Sequence, residues 1–138
     1  MNQSSDDPRA ETHPGLTPQQ LLRAELLTSG LDDWVPLVEV ETVINRACLA
    51  DTLAAQQDLA LRTIRSLLED GLMQIGDLPH PGEKFAGWDI SIDAAMQRVY
   101  DLFVGQYDDR ASWDLTIWLG LTPAGEQLAR TLSNQRTN

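Results

Sequence analysis

The 138-residue chain is 42% hydrophobic and 22% charged, the composition of one globular domain with one core, and no apolar run approaches the roughly 20 residues that span a bilayer. Its 21 acidic residues outnumber the 10 Lys and Arg, for a net charge of -11, which disfavours phosphate-dominated nucleic-acid binding and favours cationic proteins as partners. With Cys48 the only cysteine, an internal disulfide and an all-thiolate metal cluster within one chain are excluded.

Residues 1–16, with Ser4, Ser5, Asp6, Asp7, Pro8, Glu11, Pro14 and Gly15, bury too little to offset their ordering entropy and are expected to form a disordered acidic tail. The same stretch lacks the basic and apolar regions of a secretion signal, so a cytoplasmic location is expected. Thr17-Pro18-Gln19-Gln20 then supplies a cap, a proline for the first helical position and the glutamine of a capping box. A first helix to about Ser29 follows, apolar through Leu21, Leu22, Leu26 and Leu27, with Gly30 expected in a left-handed C-terminal conformation. Asp32-Asp33-Trp34-Val35 reads as a short strand, Pro36 as the entry to a second helix containing Val40, Val43, Ile44 and Ala47, and Cys48-Leu49-Ala50 as a turn. Asp51 or Thr52 caps a third helix, where Leu59, Ala60, Ile64, Leu67 and Leu68 fall close to helical spacing until Glu69-Asp70-Gly71 stops it.

Leu72-Met73-Gln74-Ile75 switches to a strand-like run, and Leu115-Thr116-Ile117-Trp118-Leu119 reads as its partner strand. Between them residues 77–114 form an insertion far longer than a hairpin loop. It opens with the turn-rich Pro79-His80-Pro81-Gly82-Glu83-Lys84, after which Asp89 or Ser91 caps a helix over about residues 91–107, with Ile92, Ala95, Met96, Val99, Phe103 and Tyr107 along one stripe. Thr122-Pro123-Ala124-Gly125-Glu126 opens a last helix, and residues 133–138 are expected to be flexible, leaving residues 17–132 as the folded domain.

The order helix, short strand, helix, helix, strand, strand, helix resembles winged helix-turn-helix domains. The implied fold is α+β, mainly α, with a helical insertion between the two wing strands. Leu61 to Leu72 looks like the end of a recognition helix and the start of a wing, and Leu119 to Gly125 looks like the strand-to-last-helix junction. The chain is also similar to a group of small bacterial proteins of uncharacterised activity. They share a Gly-Leu-x-x-x-Gly-Asp element, here Gly71 to Asp77, then a tryptophan, here Trp88, a helix, and a Trp-Leu-x-Leu-Thr-x-x-Gly ending, here Trp118 to Gly125. That likeness spans Leu59 to Arg130 and brings no activity with it.

On a recognition helix, Gln56, Gln57, Arg62 and Arg65 have the chemistry to contact bases and phosphates, and a dimer would bring them to successive major grooves. Asp58 lies four residues before Arg62 and Glu69 four after Arg65, however, so this row is expected to pair internally as a solvated face. The insertion carries Asp77, Glu83, Asp89, Asp93, Asp101, Asp108, Asp109 and Asp114 against Lys84, Arg98 and Arg110, a composition unsuited to contacting phosphates.

Catalytic constellations are weak. His80 between Asp77 and Glu83 imitates a metal site but offers one imidazole on one loop, so a surface histidine is the better reading. Cys48 is expected as a buried small hydrophobe or an inert surface thiol, with no orienting group to make a nucleophile of it beside His80, and His13 lies in the tail. Asp32-Asp33 and Asp108-Asp109 occupy polar turns that leave a carboxylate solvated. Gly71, Gly76, Gly82, Gly87 and Gly105 match neither dinucleotide nor P-loop spacing. No catalytic residue, cofactor or metal is expected.

Trp34 and Trp118 are expected in the core, while Trp88 and Trp113, at the two ends of the inserted helix, either clamp it to the wing or anchor a partner with Phe85 as companion. The resulting expectation is a non-enzymatic interaction module. Its acidic wing insertion would meet a basic protein through Phe85, Trp88, Asp89, Asp93, Asp101, Asp108 and Asp109, as an immunity protein, an antitoxin-like factor or a regulatory adaptor does. A DNA-binding transcriptional regulator is the alternative, and a homodimer stays open.

Overall fold

The capping box at Thr17 closes as its residues require: the Gln20 backbone N–H donates to Thr17 Oγ1 at 3.1 Å and the Thr17 N–H to Gln20 Oε1 at 2.8 Å. It starts α1, Pro18–Ser29. The computed structural model describes residues 15–137, so nearly all of the expected acidic tail over 1–16, His13 included, lies outside the described residues. A two-residue β1, Val35–Pro36, leads directly into α2, Leu37–Arg46, and α3 spans Leu53–Glu69 behind a Thr52 cap. β2 is Met73–Gly76, α4 is Ile92–Val99, β3 is Trp118–Leu121 and α5 is Pro123–Thr137. The last helix thus runs past residue 132, where the folded domain was expected to end.

β3 is the centre of a three-stranded antiparallel sheet of order β1-β3-β2. Leu37 donates its backbone N–H to the Ile117 carbonyl at 2.9 Å, which makes Val35 opposite Leu119 a hydrogen-bonded pair and Pro36 opposite Trp118 a non-bonded one. The missing proline N–H therefore costs no ladder bond. Met73, Ile75, Leu119 and Val35 point inward and are buried with Leu22, Leu26, Val40, Ile44, Ile64 and Leu67 of the first three helices. The result is an α+β domain, mainly α, with a winged-helix-like topology and a helical insertion between its two wing strands.

Four local expectations are corrected. Gly30 is right-handed at φ -63 rather than left-handed; a Cβ there would stand 2.8 Å from Leu121 Cγ, so close packing and not backbone conformation calls for glycine. The wing partner strand begins at Trp118, not Leu115: Thr116 Oγ1 donates to the Ala111 carbonyl and Trp118 Nε1 to the Leu115 carbonyl, which folds residues 115–117 into a turn and leaves Leu115 exposed. The inserted helix ends at Val99 as an α-helix and widens to a π turn over Tyr100–Val104, where the Gly105 N–H reaches back to the Tyr100 carbonyl at 3.0 Å. Tyr107 lies beyond it. Finally, Trp113 is the fully buried tryptophan, while Trp34 and Trp118 are half-buried, because the outer face of the wing is only partly covered.

That cover comes from the insertion itself. Its first loop folds back over the outer sheet face, with the Trp88 N–H on the Ile75 carbonyl at 2.8 Å and the Phe85 ring lying on Gly120 and 5.9 Å from Trp34.

At the wing's other end, Gly71 stands at φ 70 after α3, and Thr122 Oγ1 both donates to the Gly71 carbonyl and accepts the Gly125 N–H. This draws α5 so close to the wing that a Cβ at Gly125 would fall 1.8 Å from the Leu72 carbonyl oxygen. Gly125→Ala is expected to destabilise the fold by about 3 kcal/mol or more, read from the urea midpoint. Cys48, the one non-glycine described at positive φ (54), ends α2; Cys48→Gly is expected to raise stability by up to about 1 kcal/mol in the same measurement.

Candidate functional site

α2 turns Leu37, Val40 and Ile44 into the core, and Glu41 on the same side is buried with them. A carboxylate in that position needs compensation. It comes from the far end of the insertion: the Tyr107 hydroxyl donates to Glu41 Oε2, and Arg110 Nη2 donates to Glu41 Oε1 at 2.9 Å. The Arg110 guanidinium also lies 4.7 Å from the centre of the Trp113 ring, which stacks on Tyr107 at 5.3 Å and meets Phe103 edge-on at 4.8 Å. Trp113 Nε1 donates to the Tyr107 carbonyl at 3.0 Å, so every polar atom of this aromatic cluster has a partner. Trp113 is fully buried and so is a clamp and not a partner anchor, and the Tyr107 and Arg110 side chains it packs against are the ones bonded to Glu41 of α2.

This clamp lays α4 along α3, the helix that would read DNA in a winged helix. Of the side chains with base- or phosphate-reading chemistry, Gln57 is buried and its amide donates to the Phe103 carbonyl at 3.1 Å. The Gln56 amide reaches the Ala50 carbonyl at 3.4 Å. Arg62 Nε donates to Asp58 at 2.8 Å and its Nη1 to Gln19 at 2.9 Å. Arg65 Nη1 donates to Glu69 at 3.3 Å, the pairing read from spacing, and also to Asp93 of α4 at 2.8 Å. These carboxylates, Asp93 before Glu69, hold the Arg65 proton more tightly than usual. Such exposed pairs add little stability, but they place a carboxylate beside each guanidinium, where a phosphate would have to compete with it.

The residues singled out for partner contact are spread over the insertion. Asp89, Asp93, Asp101, Asp108 and Asp109 are all exposed. Asp93 is shared with Arg65, and Asp101 accepts from the Gln97 amide at 2.9 Å. Trp88 is half-buried, its Nε1 donating to Asp77 at 3.1 Å and its face covered by Arg98 at 4.3 Å. Phe85 is half-buried and packs on the sheet beside Trp34. Two open grooves flank α4. One of about 300 Å³ lies between it and β2, lined by Leu68, Met73, Ile75, Trp88, Ile90 and Ile92, and one of about 260 Å³ lies between it and α3.

The His80 loop is a local turn: Glu83 Oε1 accepts the His80 backbone N–H, and Asp77 serves Trp88. Among the described residues, no group of three His, Cys, Asp or Glu is placed to hold a metal ion, and no helix is long and apolar enough to cross a membrane. Cys48 is an exposed thiol.

No family model, curated protein or solved structure matches this chain. The similarity to small bacterial proteins over Leu59 to Arg130 finds no support there. What stands is topology, a small α+β domain compatible with a winged-helix-like fold.

Sequence reasoning missed Glu41, and with it the roles of Tyr107 and Arg110. The signal was present as a lone carboxylate on the apolar side of α2, between Leu37 and Ile44. Burial first, then Glu41, pushes the Tyr107 phenol above its ordinary value of 10.0. The folded state thus holds that proton more tightly than the unfolded chain does, so the stabilisation is whole below pH 10 and is lost as pH rises through the folded value. Between about pH 9 and pH 11 the unfolding free energy is expected to fall more steeply than in Tyr107→Phe. Parallel urea titrations of the two proteins check this, and equal slopes would show that the phenol contributes nothing.

Proposed function

We propose that this chain is a non-enzymatic protein-interaction module of winged-helix type, acting in the cytoplasm, whose acidic insertion docks a basic protein partner. It would serve as an immunity or antitoxin-like protein, or as a regulatory adaptor. The observation that carries this reading is the Arg65–Asp93 contact at 2.8 Å together with the inward-turned Gln57. On the helix that would read a duplex, Arg62 and Arg65 each carry a carboxylate partner and the Gln57 amide is engaged within the chain. A phosphate would meet guanidiniums that already stand beside carboxylates of the same polypeptide, against a net charge of -11.

The exposed Asp89, Asp93, Asp101, Asp108 and Asp109 supply a negative rim along the insertion, and Trp88 offers the aromatic edge left open by Arg98. Phe85 supports that loop from the sheet. Rim charges of this kind steer encounter and set the salt dependence more than the final affinity. No nucleophile with an orienting base accompanies them, which favours binding over chemistry.

The test pairs two measurements on the intact chain. Affinity capture at low ionic strength with mass spectrometry identifies bound polypeptides, and polarisation with labelled mixed-sequence duplex DNA tests the regulator alternative. A cationic protein is expected to bind, more weakly as salt rises, with Asp108→Asn combined with Asp109→Asn slowing its association roughly two- to tenfold. The duplex is expected not to bind at micromolar protein. Duplex binding that is lost on Arg62→Ala and Arg65→Ala would replace the proposal with the DNA-binding regulator.

A further inference from the structure

β2 is an edge strand, paired with β3 on one side only. The register decides which of its backbone groups face away from β3. Met73 stands opposite Leu121 and Ile75 opposite Leu119. Leu119 turns its own N–H and C=O toward Val35 of β1, so Met73 and Ile75 occupy non-bonded positions of the β2–β3 ladder and point their backbone groups outward. Accordingly, the Trp88 N–H reaches the Ile75 carbonyl from that side at 2.8 Å. The Met73 N–H, the Met73 carbonyl and the Ile75 N–H have no hydrogen-bond partner among the described residues.

These three groups do not lie on open surface. Met73 is 2% and Ile75 5% exposed, and both line the groove of about 300 Å³ between β2 and α4. Leu68, Trp88, Ile90, Ile92 and Ala95 make its walls apolar, and Asp89 is the one ionisable side chain in its lining. A buried donor, acceptor, donor row at strand spacing calls for an acceptor, donor, acceptor row in return, which is the edge of an extended polypeptide. A helix, whose amides are bonded internally, does not offer it. The β2 edge of a second copy carries α4 beside it, and two such walls would collide.

We infer that this edge receives an extended segment of a protein partner, which joins the three-stranded sheet as a fourth strand. With the segment antiparallel to β2, one of its residues exchanges two hydrogen bonds with Met73, and the residue two places before it accepts the Ile75 N–H. Both of those residues face the same side as Met73 and Ile75, where Leu68, Ile92 and Ala95 call for apolar side chains. Asp89, exposed and without a described ion pair, favours a basic residue on the same segment. This deepens the cationic-partner reading above and rests on its claim that the insertion docks a protein.

The test titrates the intact chain with acetyl-Val-Lys-Val-Lys-Val-amide and with the same peptide N-methylated at its valines, which keeps the side chains and removes the donor row. In nitrogen-15 spectra the Met73 and Ile75 amide protons are expected to move downfield and to exchange about tenfold more slowly with the first peptide, while Gln74, whose amide faces β3, changes little. The N-methylated peptide is expected to bind about tenfold more weakly. No binding of the first peptide, equal binding of the two, or shifts that leave Met73 and Ile75 unmoved would overturn the added strand. Shifts at these two amides that grow with the concentration of the chain alone would assign the edge to a second copy and overturn it as well. Equal binding of a Val-Thr-Val-Thr-Val peptide would uphold the strand and count against the cationic partner only.

Discussion

The Glu41 carboxylate is the point at which the long insertion is tied to the helical core. An acid on the buried side of α2 is tolerated because Tyr107 and Arg110 converge on its two oxygens, and both come from the segment that follows α4. Arg110 stays 45% exposed on its side chain, so the pair is not a dry one and the desolvation cost is shared with water. The apolar half of the clamp is Trp113 between Phe103 and Tyr107, with the indole N–H satisfied by a backbone carbonyl. Hydrogen bonding fixes the position, and aromatic burial supplies the larger share of the stabilisation.

Once that end is fixed, the course of α4 along α3 follows. Val99 and Phe103 enter the shared core, Gln57 turns inward to a carbonyl exposed by the π turn, and Asp93 is brought within reach of Arg65. None of these polar contacts is worth much alone, since exposed ion pairs contribute a fraction of a kcal/mol. Their effect is one of geometry. A helix that a shorter wing would leave bare is flanked along its length, and its charged row is neutralised partly by itself and partly by the neighbour.

Local chemistry made much of this legible in advance. The capping box at Thr17, the Gly71 stop, the Pro123 helix start and the Asp58-Arg62 and Arg65-Glu69 spacings are interactions between near neighbours, and each forms where its residues stand. The wing strand start was misplaced because Leu115, Ile117 and Leu119 alternate as a strand does, while the turn that removes Leu115 depends on hydrogen bonds to Ala111 and from the Trp118 indole. Trp113 was undervalued for a similar reason. It packs against Tyr107 and Arg110, which meet over Glu41, a residue more than sixty positions away that no local pattern names as their partner. The expected site residues share one insertion, yet the Asp93–Arg65 bridge and the groove beneath Tyr100 arise only from the packing of two helices far apart in sequence.

A net charge of -11 and an apolar groove act over different ranges, and the distinction bears on how such a domain would choose a partner. Charge spread over the whole chain acts out to about a Debye length, roughly 8 Å at physiological ionic strength, and gathers any cationic macromolecule without ranking them. Ranking requires contact, and contact energy concentrates where apolar surface is desolvated against a shaped floor. Between α3 and α4 the groove around Leu61, Met96 and Tyr100 is lined by Arg62, Arg65 and Asp93, so charge near this floor is mixed and the long-range term alone does not select what enters it. A polyanion is opposed by the long-range term, and the same insertion also engages Arg65 Nη1 and the Gln57 amide on the helix it would have to approach.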